Sequence, residues 1–380
     1  MKRSFFLTLA LFALMAPAGA ELASTPWWPA STAAALEAAG DNRVELARAL
    51  TDVPADQREA MQFLIDNMPA VDLATLKAEF LLGHVAQTYE VMAVAPWAAL
   101  VPKEIFLNDV LPYASLNEVR DNGRPKLREI AAPLVKDCRT PGEAAQALNQ
   151  KLFGIVNVKY STRRKKPDQS ALESMASGVA TCSGLSILLV DACRAVGIPA
   201  RVAGTPIEVW DGGWRFAGAA EPDGNGLDRG WFAGDAAKAD DAKPEHRIYA
   251  SSFKKTGVSF PLVWNRRLDW VPAVNVTDRY TGKDQVKDGR VLALIRVLDR
   301  VGGRRVATLV VVEDVADTAQ TWSGTSSDES ADLNNILPFK VVPGRRYKVT
   351  VGEVGSASTK THEITANSEA EQITTVTLAE

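Results

Sequence analysis

Histidine is scarce in this chain. His84, His246 and His362 are the only three in 380 residues. So little imidazole leaves few ways to build a general base or a histidine-rich metal site. The metalloprotease pattern H-E-x-x-H is absent, since His362-Glu363 has no second histidine after it. The nucleophile elbow G-x-S-x-G and the phosphate-binding P-loop are missing too. Asp223, Asn225 and Asp228 do not follow the spacing of a calcium loop and read as a glycine-rich turn. No metal and no cofactor is expected. Positive charge is not in surplus either, because the formal net charge is −3. That balance argues against a nucleic-acid partner.

Long apolar runs are confined to the N-terminus. Lys2 and Arg3 precede the run Phe5 to Met15, and Ala18-Gly19-Ala20 supplies an A-x-A cleavage site. Residues 1–20 therefore read as a secretory signal peptide, with a mature chain from about Glu21. Its removal takes two positive charges and leaves −5. No later run is long enough to span a membrane. The expected location is outside the cytoplasm: periplasmic, cell-surface or secreted. Cysteine is sparse as well, with Cys138, Cys182 and Cys193 only. An odd count leaves at least one thiol free unless chains pair. Cys193 follows Leu189 by about one helical turn and reads as core, Cys138 has no assignable role, and a disulfide between those two stays open.

What the chain does have is ordinary globular material, 46% hydrophobic and 23% charged, enough for two or three domains. Helical periodicity marks Ser31–Ala39, Arg43–Leu50, Ala55–Asn67, Leu73–Ala93 and Arg124–Val135. On the fourth of these, His84 shares a face with Leu73, Leu76, Phe80 and Leu81, which predicts a satisfied core histidine. The apolar strip Phe106 to Tyr113 is suited to docking on a neighbouring domain. A helix from Glu143 to Phe153, a strand over Val156–Tyr160, a solvated basic loop Arg163-Arg164-Lys165-Lys166 and a short helix Ser170–Met175 follow.

The stretch Gly178 to Arg201 is the focus of the sequence. Thr181 is an N-cap candidate, Cys182 opens the helix, and Gly197 with Pro199 stops it. Leu185, Leu188, Leu189, Ala192 and Val196 fall on one face. A thiol at a helix N-terminus meets outward-pointing N–H groups, which favour the thiolate. Strands are expected at Ala200–Gly204, Ile207–Trp210 and Trp214–Ala217, the last two joined by the hairpin signal Asp211-Gly212-Gly213. Further short strands follow at Ile248–Ala250 and Phe260–Trp264. From about Gly289 the pattern becomes all strand: Val291–Leu298, Val306–Val312, Phe339–Val342, Tyr347–Val351 and Ile373–Leu378, with Thr321–Asp328 as a Ser/Thr-rich loop. His362 is expected on a strand surface.

The chain resembles the bacterial transglutaminase-like family of papain-like cysteine proteins. The matching residues are Asn157-Val158-Lys159-Tyr160, Cys182-Ser183-Gly184-Leu185-Ser186, Cys193 through Arg201 (CRAVGIPAR), Glu208-Val209-Trp210, Trp214, and Leu227 to Phe232. They cover roughly Pro141 to Tyr280. The final segment is similar, more distantly, to a carboxypeptidase-regulatory-type sandwich. The expected fold is α+β: the resemblance implies a papain-like transglutaminase core at 141–285, helical periodicity gives a helical region at 21–140 before it, and the run of spaced strands gives a small β-sandwich at 286–380 after it. It implies a cysteine nucleophile at Cys182 and an acid at Glu221, or else Asp223, that orients an imidazole. It also implies a protein or peptide amide as substrate or ligand.

One departure bears on function. The family's histidine begins the strand that here reads Ile207-Glu208-Val209-Trp210, and no histidine lies between Cys182 and Trp231. His246 is the only candidate surrogate base. Three readings follow: an acyl-transfer or hydrolytic enzyme, a binding protein that kept the cleft and lost the base, or a gene sequence missing codons between Pro206 and Ile207.

Overall fold

The computed structural model describes residues 26–204, 206–216, 247–260, 271–281, 290–331, 335–352, 359–367 and 371–379. Residues 1–20, expected to be a signal peptide, and Glu221, Asp223, His246 and most of the expected strand Phe260–Trp264 lie outside them.

The N-terminal region is helical, as its periodicity predicts. It comprises α1 (Ala30–Ala38), α2 (Arg43–Asp52), α3 (Arg58–Asn67), α4 (Ala70–Thr75) and α5 (Ala78–Met92). Leu46, Leu50, Met61, Leu64, Leu81 and Val85 form its shared core. The single helix expected over Leu73–Ala93 is two. Asn42 Nδ2 donates to the carbonyls of both Leu73 and Leu76, and Glu45 Oε2 accepts from the Ala78 N–H. Side chains from α2 and the turn before it thus take over the groups that would have continued the helix. His84 sits where expected: it is buried, and its Nε2 lies 2.6 Å from the Leu111 carbonyl. Burial, chiefly, holds its imidazole well below its usual value.

The strip Phe106 to Tyr113 does dock on the next region. After a turn at Lys103–Ile105 (α6) it forms one π-helical turn, Phe106–Val110. Asn108 Oδ1 accepts from Ser252 Oγ, Phe253 N and Lys254 N at 2.8–3.0 Å. Arg124, at the start of α7 (Arg124–Val135), donates to the carbonyls of Val110 and Pro112. Trp97 Nε1 donates to the Gly197 carbonyl at 2.8 Å, just beyond the cysteine helix.

The central region packs α7, α8 (Pro141–Val156) and α9 (Ala171–Ser177) around α10 (Cys182–Ala195). Both α8 and α9 start with a full capping box, Thr140/Glu143 and Ser170/Glu173. The expected strand Val156–Tyr160 is shorter. Val156 ends α8, Asn157 adopts the left-handed cap, and β1 is Lys159–Tyr160, paired in parallel with β2 (Val179–Ala180). Sequence periodicity gives α10 one buried face, yet nearly every residue from Gly184 to Ala195 is buried. Helices on several sides and a strand close over it, which is how a helix apolar almost all round is accommodated.

After α10, β3 (Ala200–Val202), β4 (Ile207–Trp210) and β5 (Trp214–Phe216) form an antiparallel sheet in sequence order. The β4–β5 hairpin turns at Asp211-Gly212-Gly213, as the sequence predicts, with the Asp211 N–H donating to the Gly213 carbonyl. A second pair, β6 (Tyr249–Ser251) and β7 (Ala273–Asn275), joins the first sheet through a bridge between Ala203 and Ala250.

The C-terminal region is all strand among its described residues. Its two sheets run β10-β9-β12-β13 and β11-β8-β14. The strands are β8 (Val291–Leu298), β9 (Leu309–Asp314), β10 (Asp317–Thr325), β11 (Leu337–Val341), β12 (Arg346–Val351), β13 (Lys360–Thr365) and β14 (Glu371–Thr377). Ala293, Ile295, Val310, Val312, Phe339 and Tyr347 from both sheets share one apolar cluster. The segment Thr321–Asp328, expected as a loop, largely belongs to β10. Its polar residues suit an outer strand with most side chains in solvent. His362 is exposed on β13, as expected.

Candidate functional site

Cys182 is the first residue of α10. The Thr181 hydroxyl accepts from the Gly184 N–H at 2.9 Å and donates to the Pro167 carbonyl at 2.5 Å. One side chain therefore caps the helix and pins the segment Pro167–Ser170 across its start. That segment brings a carboxyl group to the cysteine. Asp168 is buried, lies close enough to Ser183 for that hydroxyl to favour its charged form, and acts electrostatically on Cys182.

The balance of forces on the thiol is opposite to the expectation from its position. The N–H groups of Cys182 and Ser183 and the Ser183 hydroxyl do favour the thiolate. Burial outweighs them, the Asp168 charge adds to it, and the Cys182 thiol is pushed up from its ordinary value. Among the described residues, no imidazole is one of the groups that act on it most strongly. His84 is bound to Leu111 and His362 lies on β13 of the C-terminal region. Cys138, Cys182 and Cys193 are all unpaired, so the structure holds no Cys138–Cys193 disulfide. Cys193 is fully buried, and burial raises its thiol strongly.

Asp168 and its neighbour Gln169 were not evident from the sequence. Asp168 Oδ1 and Gln169 Oε1 are buried acceptors without a hydrogen-bond partner among the described residues. Burial, with the Glu118 charge next, raises the Asp168 carboxyl to about 6. The Ser170/Glu173 capping box was readable and marks where α9 begins. The approach of Asp168 to Cys182 depends on the Thr181–Pro167 bond, which no local pattern announces. Replacing Asp168 with asparagine removes the charge that opposes the thiolate. The Cys182 alkylation inflection is expected to move to lower pH in Asp168→Asn, and an upward move would contradict this account of the site.

The strand on which the resemblance places a histidine carries a different chemistry from the expected one. Where β3 meets β4, the Ala203 N–H donates to the Pro206 carbonyl and Val202 pairs with Ile207. Glu208 on β4 is fully buried. Its Oε2 accepts from Arg201 Nε and Nη2, both at 3.1 Å, and its Oε1 accepts from Arg279 Nη1 and the Tyr280 hydroxyl. The Arg201 guanidinium stacks 3.6 Å from the Trp214 ring centroid. Glu208 is thus committed to structural ion pairing.

Residues 128–235 match the sequence profile of the transglutaminase-like superfamily. The chain carries a transglutaminase-like domain. No curated protein and no solved structure matches the chain. Within the transglutaminase-like domain, Cys182 opens the central helix and Arg201 of the GIPAR block is the partner of Glu208 rather than a free cation. Glu221 and His246 lie outside the described residues, so of the three sequence-predicted site residues only Cys182 has a described position. Among the described residues, no group of three or more histidine, cysteine or acidic side chains could hold a metal ion, and no helix is long and apolar enough to cross a membrane.

Proposed function

We propose that this is an exported protein whose transglutaminase-like domain binds a protein or peptide without performing acyl transfer at neutral pH. The setting of Cys182 carries the reading. Its thiol is half-buried, feels the Asp168 charge and is shifted upward. An ordinary cysteine is only a few per cent thiolate at pH 7, and this one is less. Loss of one member of a cooperating nucleophile–base set typically costs on the order of 10⁴ to 10⁶ in rate. The proposed organisation is a signal peptide at 1–20, a helical region at 21–140, the transglutaminase-like core at 141–285 and a β-sandwich at 286–380. The apolar cluster shared by the two C-terminal sheets supports a sandwich, of the carboxypeptidase-regulatory type. Export rests on the basic, apolar and A-x-A segments of residues 1–20. The continuous β3–β4 register supports a native connection at Pro206 over a missing stretch.

One observation favours a second reading, cysteine-dependent acyl transfer or hydrolysis on protein or peptide amides. Thr181 caps a helix whose first N–H groups lie on Cys182, an arrangement suited to an oxyanion. In that reading His246 is the base and Glu221 the acid. Iodoacetamide labelling of the mature protein from pH 5.5 to 10, resolved by peptide mass spectrometry, separates the two. The binding reading expects the Cys182 rate to climb through pH ~8.5 with no plateau below it. An inflection below pH ~7 that disappears in His246→Ala would establish the enzyme reading instead.

A further inference from the structure

A cavity of about 540 Å³ lies at the opposite end of α10 from Cys182, between the π-helical turn Phe106–Val110, strands β3 and β7 and the segment that follows β6. Its place relative to the cysteine follows from Arg194, which bonds the Asp109 carbonyl from the far end of that helix, about 18 Å away at ~1.5 Å of rise per residue. The volume is within the usual range for small-ligand sites.

Two of the lining side chains are buried charges with unused capacity. Arg201 is 5% exposed, and its bonds to Glu208 use Nε and Nη2, so the two Nη1 donors have no partner among the described residues. Asp109 is 1% exposed, and among the described residues its carboxyl oxygens accept only from the side chain of Asn108, 3.2 Å from each. A carboxylate has about four lone-pair sites, so capacity is left over. Exposed Lys254 lies on the cavity's lining, and Ile105, Val258 and Val274 give it apolar walls.

A ligand that completes this site needs an acceptor or negative group for Arg201, an N–H for Asp109, and an apolar body. We infer that the cavity is a binding site for the C-terminus of a peptide: the terminal carboxylate meets Arg201 and the Lys254 charge, the last amide N–H meets Asp109, and an aliphatic final side chain rests on Ile105, Val258 and Val274. In a peptide the terminal carboxylate and the last amide N–H are held on one Cα, so a single residue can serve both groups. This site is separate from the cysteine and stands whether or not Cys182 is active.

Isothermal titration of the mature protein with acetyl-Ala-Leu tests it. Saturable binding is expected, at least tenfold weaker for acetyl-Ala-Leu-amide, which lacks the carboxylate. It should also be at least fivefold weaker for 4-methylpentanoate, which lacks the amide N–H. Lys254→Glu, a surface change, should weaken binding threefold or more, and Val274→Trp should block it by filling the cavity. Cys182→Ala should bind as the parent does. Absence of saturation to 10 mM peptide, equal affinity for acid and amide, or loss of binding in Cys182→Ala would each overturn the assignment. Equal affinity for 4-methylpentanoate would mark a general carboxylate site and overturn the peptide.

Discussion

Replacing Arg194 with alanine should destabilise the protein by about 3–5 kcal/mol and loosen the helical N-terminal region from the core. Arg194 is almost fully buried. Its Nε donates to the carbonyls of Asp109 and Ala200 at 3.1 and 3.0 Å, and its Nη1 to those of Pro112 and Ala114 at 3.4 and 2.9 Å. Removal leaves several buried acceptors unsatisfied, at about 1–3 kcal/mol for each such group and with incomplete additivity. Arg124 holds the same strip at Val110 and Pro112, so part of the docking survives. The check is a guanidinium titration together with limited proteolysis. Cleavage near Phe106–Tyr113 should become faster by far more than cleavage inside β8–β14. A midpoint within error of the parent would refute the stapling role.

Glu208→Ala should cost a comparable amount, about 3–5 kcal/mol, because it strands two cations beside a buried position. Arg201 loses both of its carboxylate bonds, and Arg279 and Tyr280 lose theirs. Burial and the neighbouring Glu208 charge push the Tyr280 hydroxyl upward, so it stays a neutral donor to that carboxylate throughout the physiological range. The consequence for the fold is local, and the loss should show in the near-ultraviolet dichroism of Trp214, on which Arg201 stacks. A double change, Glu208→Leu with Arg201→Met, should recover much of the stability, since an apolar pair of similar size often replaces a buried ion pair without loss. If the double variant is no better than Glu208→Ala, the penalty does not arise from the unpaired arginine.

Both predictions concern residues that lie inside the recognisable motif block and yet do structural work. The sequence alone placed Arg194 and Arg201 in CRAVGIPAR and Glu208 in the following strand. It did not show that Arg194 bonds a strip about eighty residues earlier in the chain, or that Arg201 and Glu208 face each other across β3 and β4. Cys182 shows the same limit more sharply. Its helix, its Thr181 cap and its first-turn position were legible, because capping and periodicity act within a few residues. The sign of its shift was not, because burial and the Asp168 charge come from packing between segments distant in sequence.

By itself the sequence determined the helices of the first region, the stop at Gly197 and Pro199, the Asp211-Gly212-Gly213 hairpin, the satisfied state of His84 and most C-terminal strands. It also determined that no histidine stands between Cys182 and Trp231. These follow from local geometry, hydrophobic spacing and residue identity. Only the tertiary structure decided that Leu73–Ala93 breaks in two, that α10 is buried almost all round, that the thiols stay unpaired and that the Asp168 charge acts on Cys182. Each of those depends on which distant group supplies a hydrogen bond, a charge or a dry surface, and a linear pattern does not contain that information.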